Sequence, residues 1–363
     1  MRTGPTNSMA DVAGLRVGHA QRVGDGYRTG VSVVLAPPGG AVAGVDVRGA
    51  APGTRETELL DPRNLVERVH AIVLTGGSAY GLSAACGVME RLADAGVGFP
   101  VAEGVVPIVP SAVIYDLGRG GRFRATPDGA LGAAAYDAAV ASAPAPSSAP
   151  APAPATAPSS SAPSDAAVSS AVPGLNGSVG AGTGAMAGGL AGGLGTASAV
   201  LPSGITVAAL AVVNAAGSVL DPDSGLLSGT RYGLPGEFDH VREPDHDEFL
   251  RWQPLKAPSF NTTIGVVATD LALSKAQCGK LAGVAHDGLA RAIRPAHTMV
   301  DGDTIFAMST CGRPGPVDTD LHDVLAAAAD VFSRAVAHAV LHATGRRDAP
   351  AYLDVFPSAR KRA

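Results

Sequence analysis

Phe260-Asn261-Thr262-Thr263-Ile264-Gly265-Val266-Val267 runs an asparagine into a threonine that opens an apolar, strand-like segment. A threonine placed there can become a chain terminus. If the Asn261–Thr262 bond is cut, Thr262 carries a hydroxyl nucleophile and, on the neighbouring carbon, a free α-amine able to act as its own base. An α-amine titrates at about 7.7–8.0, so much of it is available as a base near neutrality. The ordinary alternative is that Thr262 and Thr263 are β-branched residues starting a strand, a place that suits them.

The rest of the chain sets the frame for that junction. Its 363 residues are 46% hydrophobic and only 16% charged, with 47 glycines, enough apolar matter for a large core and little solvated charge. We read an α/β protein. A net charge of −5 with no basic tract supplies no counterion-release term, so a nucleic-acid partner is not expected. Cys86, Cys278 and Cys311 are widely separated and form neither a disulfide framework nor a zinc spacing. The N-terminal stretch lacks an apolar signal core, and no apolar run reaches the roughly 18 residues that span a bilayer. The expectation is a cytoplasmic protein with no membrane partner.

One segment belongs to no core. Residues 142–173 are almost wholly Ala, Pro and Ser, with no periodic apolar face, and such composition reads as a disordered insert. Loop-closure entropy grows slowly with length, which favours a surface loop within a single domain over a domain boundary. On either side, strand and helix signals alternate. Residues 71–77 read as a buried strand ending in a glycine turn, followed by a small-residue helix; 205–214, 264–269 and 305–309 are further strands. Ser274-Lys275-Ala276-Gln277 fits a capping box, opening a helix with Leu281, Ala285, Gly288, Leu289 and Ala292 on one face. Residues 320–343 form a last long helix. Helices layered over sheets follow from this alternation. The polar stretch between Asn214 and Asn261 has little periodicity, which marks it as functional or mobile and, after a cut at Asn261, as a free tail.

Several other patterns invite chemistry. The run Gly177-Ser178-Val179-Gly180-Ala181-Gly182-Thr183-Gly184-Ala185 resembles a nucleotide loop but lacks the preceding strand, the Gly-Lys-Ser/Thr and the acidic partner; close backbone packing or an anion-accepting turn competes. Ser78 sits at a strand-to-helix turn with the wrong spacing for Gly-x-Ser-x-Gly, and a helix N-cap is the better reading. His338 and His342 stand at i, i+4 without the glutamate of a zinc protease. Asp301-Gly302-Asp303-Thr304 places two carboxylates before a strand. If they face Thr262 they can orient its hydroxyl and amine; otherwise they are an Asp-Gly turn. Asn214 closes an apolar run, where its amide can stabilise an oxyanion or satisfy a turn.

Taken together and in order, six motifs resemble one family. They are Val17-Gly18-His19, Arg48-Gly49-Ala50-Ala51-Pro52-Gly53-Thr54-Arg55-Glu56-Thr57, Thr75-Gly76-Gly77-Ser78-Ala79-Tyr80-Gly81-Leu82, Gly180-Ala181-Gly182-Thr183-Gly184, Val213-Asn214-Ala215-Ala216-Gly217 and Asn261-Thr262-Thr263. The family is that of the L-aminopeptidase/D-esterase peptidases, which includes β-aminopeptidases and the nylon-oligomer hydrolases. The likeness covers nearly the whole chain apart from the insert. It implies a four-layer αββα sandwich, related in structure to ornithine acetyltransferases, with a site like that of N-terminal nucleophile hydrolases. It also implies self-cleavage into 1–261 and 262–363, since the nylon-oligomer hydrolases are cut between Asn and Thr.

Carried over by position, Thr262 resembles the nucleophile, Asn214 the amide after the apolar strand, Asp301 and Asp303 the orienting acids, and Tyr115 a tyrosine lining the site. The implied substrate is a small amide, peptide or ester, with no metal or cofactor, and the processed units are expected to form a homo-oligomer. One position departs from the pattern. Relatives in the hydrolase branch often read Lys-Gly-Gly after the glycine-rich run, where this chain has Ala191-Gly192-Gly193. Acyl transfer to an amine and an impaired site are the alternatives to hydrolysis.

Overall fold

Ile264, Val266 and Ala268 face one side of a strand and Val267 and Leu271 the other, and both sides are buried. A strand buried on both faces has to lie inside a stack of layers. The computed structural model describes residues 1–142, 168–171, 176–254 and 260–361. Its principal elements, in chain order, are β1 (Arg16–Gly24), β2 (Tyr27–Leu35), β3 (Ala41–Val47), β4 (Ala71–Thr75), α1 (Ala84–Asp94), β5 (Ser111–Val113) and α2 (Gly129–Ala141). There follow β6 (Gly193–Val200), β7 (Thr206–Val213), β8 (Ile264–Leu271), α3 (Lys275–Ala292), β9 (Thr304–Arg313) and α4 (Asp320–Leu341).

Two sheets stack face to face. The first runs β6-β7-β8-β9-β3, edged by Arg2–Thr3 and Arg68–Val69; the second runs β1-β2-β4-β5, edged by Val168–Ala171 and Thr54–Arg55. Between them lies a core of Val34, Ile72, Leu74, Leu210, Val212, Ile264, Val266, Phe306 and Met308. Each such side chain contributes about 1.5–3 kcal/mol by leaving water. On the outer face of the first sheet α3 and α4 pack through Leu281, Leu289, Val331, Phe332 and Val336. On the outer face of the second, α1 and α2 pack through Val88, Leu92, Leu131 and Ala135. The result is a four-layer αββα sandwich.

Glycines set how closely the layers approach. A Cβ on Gly195 of β6 would lie 1.9 Å from the Ala335 carbonyl of α4, and one on Gly18 of β1 would lie 2.3 Å from the Ala135 carbonyl of α2. Small residues at both outer seams therefore let helix backbone rest on sheet backbone. The Ser274–Gln277 capping box forms at the start of α3. Helix α4 is long and apolar enough to cross a membrane, yet 83% of its apolar window is buried inside the fold. It is a core helix.

Two sequence expectations change. The Ala/Pro/Ser insert at about 142–173 lies mostly outside the described residues, but Val168–Ala171 within it pairs antiparallel with β1. The stretch between Asn214 and Asn261 is not a structureless run. Val219, Leu220, Leu227, Leu234 and Val241 are buried against the outer core, Ser228–Tyr232 and His246–Arg251 are helical turns, and Val241 bridges to Arg360. Its apolar residues are spaced for turns and not for a regular element, so periodicity misses them.

That stretch is fixed by a buried ion pair. Arg334 of α4, fully buried, donates to Glu237 through Nε at 2.7 Å and Nη2 at 2.9 Å, while Nη2 also reaches Asn7 Oδ1 and His338 Nε2 meets Glu237. The His338/His342 spacing thus serves the fold, His342 Nδ1 meeting the His338 carbonyl at 2.9 Å. Arg334→Met is expected to cost about 3–5 kcal/mol, because it removes both guanidinium bonds and leaves the buried Glu237 carboxylate with His338 and Asn7 as its remaining side-chain partners. Denaturant unfolding followed by circular dichroism checks this, and a loss below about 1 kcal/mol, the range of a surface pair, contradicts it.

The same pair gives the fold an acid limit. Burial alone would raise the Glu237 carboxyl, but hydrogen bonds from His338 and Arg334 and the guanidinium charge bring it down to about 2. A depressed carboxyl contributes stability that is full above the ordinary glutamate value, about 4.3, and lost as pH falls through its folded value. Unfolding midpoints should therefore drop between about pH 4 and pH 2, and Glu237→Gln should flatten that fall.

Candidate active site

Register brings three separated segments to one end of the first sheet. Strand β7 runs antiparallel to β8 with Val212 opposite Ile264, so Asn214, just past β7, arrives beside residue 262. Strand β9 runs parallel to β8 with Thr304 opposite Ile264, so 301–303 flank 261–263, and Asn261 bridges Asp301. In the second sheet β4 and β5 are parallel, Val113 opposite Thr75, so Ser78 and Tyr115 emerge together. The two sheet ends face each other across a cavity of about 250 Å³ lined by Ala51, Pro52, Ser78, Tyr115, Asn261 and Thr262, among others.

Thr262 is 5% exposed and held from both sides. Its N–H donates to the Asn214 carbonyl at 2.7 Å, and its Oγ1 donates to the Asn261 carbonyl at 2.5 Å. The Gly302 N–H donates to that same Asn261 oxygen at 3.1 Å. The carbonyl of the Asn261–Thr262 bond therefore carries a backbone donor and the neighbouring hydroxyl together. A Cβ on Gly302 would lie 2.4 Å from the Ala51 carbonyl and 2.8 Å from Thr262 Oγ1, so only glycine fits this approach.

The acids sit where their spacing suggested, but their bonds go to neighbours of Thr262. Asp303 accepts from the Thr263 N–H at 2.7 Å and from the His297 N–H and Nδ1 at 3.0 and 2.8 Å. Asp301 accepts from the Thr298 N–H at 3.0 Å and its hydroxyl at 2.5 Å. The two carboxylates brace the turns around Asn261–Thr262; their backbones hold residues 48–51, through the Asp303 carbonyl to Arg48 and Gly49 and the Asp301 carbonyl to Ala51.

Asn214 is fully buried. Its Oδ1 accepts from Arg119 Nη1 at 2.5 Å and the Met186 N–H at 3.1 Å, and Nδ2 donates to the Tyr115 carbonyl at 3.2 Å. Both groups on Oδ1 are donors, which fixes the amide orientation chemically. Arg119 Nη1 also reaches the Gly184 carbonyl, shared with Arg346. Burial pulls the Arg119 guanidinium down to about 10. The Tyr115 ring lines the cavity and lies 5.8 Å from the ring of Phe260.

Three sequence readings need correction or closure. Ser78 is not an N-cap: Gly77 holds that position with no side-chain cap, and Ser78 itself has φ +51° and lines the cavity. A left-handed serine at a site is a strained position that only its surroundings maintain. The glycine-rich run is packing, since the Gly180 and Ala181 N–H groups are taken by Gln21 and Ser32 and its glycines are buried. Ala191 is buried among Met186, Ala343 and Ala349, paired with the Met186 whose N–H holds Asn214. Arg119, Gly302 and His297 do not stand out in the sequence as site residues. Asp-Gly-Asp marked a turn at Gly302, but nothing local marks the other two.

Comparison with known proteins gives the family and the fold. Residues 7–349 match Peptidase family S58. The chain belongs to peptidase family S58. An uncharacterized aminopeptidase of Mycobacterium tuberculosis is 47% identical over 380 residues, 97% of this chain and 99% of that one. A 6-aminohexanoate-oligomer endohydrolase of Kocuria sp. is 31% identical over 316 residues, 85% of this chain and 76% of that one. Among solved structures, a Burkholderia sp. β-aminopeptidase superposes with a TM-score of 0.67 at 22% identity, covering 99% of this chain and 96% of that one. The L-aminopeptidase D-Ala-esterase/amidase of Ochrobactrum anthropi, described as a variant of the Ntn hydrolase fold, gives 0.65 at 22% identity, covering 98% and 96%. The S58 chain thus shares the fold of these two structures.

Proposed function

We propose that this S58 chain is a self-processing amide hydrolase with Thr262 as its nucleophile. The observation that supports this most is the Asn261 carbonyl, which meets the Thr262 hydroxyl and the Gly302 N–H on one oxygen. In the first reaction Thr262 Oγ attacks the Asn261 carbonyl carbon, and Gly302 stabilises the oxyanion. The C–N bond breaks, the hydroxyl proton ends on the nitrogen, and an ester between Asn261 and Thr262 Oγ remains. Water then cleaves the ester, releasing the Asn261 carboxylate and restoring the Thr262 hydroxyl.

In the mature site the Thr262 amine takes the hydroxyl proton as Oγ attacks a substrate amide. The Asn214 carbonyl, already on that nitrogen at 2.7 Å, holds the amine toward Oγ. Asn214 Nδ2, which has a second hydrogen beyond the one given to Tyr115, receives the oxyanion. Water completes the cycle. The cavity of about 250 Å³ suits a small acyl group.

The test is turnover of a short peptide anilide with and without a free amine present. Release of the free acid at the same rate in both arms supports hydrolysis. Transfer of the acyl group to the amine would make the protein an acyltransferase, and no turnover in either arm, by a chain that has been cut, would mark the site as impaired.

A further inference from the structure

We infer that Arg119 is a positioning residue that works through Asn214; this rests on the hydrolase reading above. Among the described residues the buried arginines sit on carboxylates, Arg22 on Asp128 at 2.8 Å and Arg334 on Glu237 at 2.7 Å, and the half-buried Arg346 pairs with Asp348 at 3.0 Å. Arg119, half-buried, makes no ion pair within 4.0 Å among the described residues. Its Nη1 goes to an amide oxygen and a carbonyl, Asn214 Oδ1 and Gly184 O, and its Nη2 is buried without a hydrogen-bond partner. A desolvated guanidinium is costly, and although Asp116 and Asp348 act on it through space, its direct hydrogen bonds go to Asn214 and a backbone carbonyl.

What the arrangement achieves is specific. A charge-assisted bond is about twice as strong as a neutral one, so turning the Asn214 amide over would set its NH₂ against the guanidinium and the Met186 N–H. The amide is locked with its nitrogen on the carbonyl of Tyr115, a residue that lines the cavity. The positive charge on Oδ1 also draws electrons from the amide and strengthens Nδ2 as a donor. Arg119 does not line the cavity, and among the described residues its side chain hydrogen-bonds neither Thr262 nor a cavity-lining residue. Its effect therefore falls on the charge-developing step and not on substrate binding.

Arg119→Met, Arg119→Lys, Asn214→Ala and the Met/Ala double variant decide the point, with activity normalised to the fraction of chain beginning at Thr262. Arg119→Met is expected to lower kcat about 10- to 100-fold, toward the loss seen for an oxyanion donor, with KM changed less than about threefold. Arg119→Lys should recover most of it. In the Asn214→Ala background the methionine change should cost less than about twofold, since its route is gone. An equal fractional loss in both backgrounds, or an unchanged kcat in Arg119→Met, overturns the inference. If Arg119→Met does not fold, Arg119→Gln, which also removes the charge, carries the same cycle. If Asn214→Ala is too slow to measure, the kcat-against-KM split and lysine recovery decide. An inactive, uncut wild-type chain would instead sink the hydrolase reading itself.

Discussion

Thr262→Ala is expected to leave one uncut chain of 363 residues and to lower amide turnover by about 10⁴-fold or more, the scale of losing a nucleophile. Both losses have one origin. The side-chain oxygen that meets the Asn261 carbonyl at 2.5 Å in the uncut chain is the oxygen that would later attack substrate. Thr262→Ser keeps that oxygen and should be cut and active within about tenfold, the cost of a less constrained rotamer. The fold should survive either change, because Ile264 onward is held by its neighbours β7 and β9. Denaturing gels, anilide turnover and thermal unfolding of the three proteins check this. An alanine variant that is still cut between 261 and 262 would remove Thr262 from the chemistry.

Gly302→Ala should have the second largest effect, and on the first reaction above all. The added Cβ would lie 2.4 Å from the Ala51 carbonyl and 2.8 Å from Thr262 Oγ1, both inside van der Waals contact. Either the loop or the hydroxyl has to move. Moving the loop carries the Gly302 N–H off the Asn261 carbonyl, and loss of one oxyanion donor costs about 10²–10³ in rate. Self-cleavage of freshly made protein, followed by mass over time, should slow by about that factor. Cleavage at the wild-type rate would show that the Gly302 N–H plays no part in it.

The layers were legible because their periodicity is strong. Ile264 to Leu271 reads as a strand, and the capping box at Ser274 with Leu281, Ala285 and Leu289 on one face reads as a helix, since burial selects residues at fixed spacing. Asn214, Thr262 and Asp301 were legible as candidates from their places at strand ends, but their convergence follows from the β7-β8-β9 order, which no local signal carries. Tyr115 came only from family likeness. Arg119 was invisible because it lies in a loop whose place depends on the long-range pairing of β5 with β4. The role of Gly302 is a backbone one, and side-chain chemistry does not advertise it. Ser78 was read as a cap because serine often is one; the left-handed turn at Gly77 and Ser78 changes that.

Ala191 gains a physical setting as well. It packs in an apolar cluster at the strand that holds Asn214 through Met186, and the cations that reach this end of the site are Arg119 and Arg346 on the Gly184 carbonyl. The small residue at 191 therefore does not leave Asn214 without a positive neighbour.

Intact mass and N-terminal sequencing of the purified protein test the Asn261–Thr262 junction most directly. The expected result is two polypeptides that stay together in native form, 1–261 and 262–363, the second beginning with a free Thr262. A pure protein that hydrolyses amides while remaining a single uncut chain would contradict it.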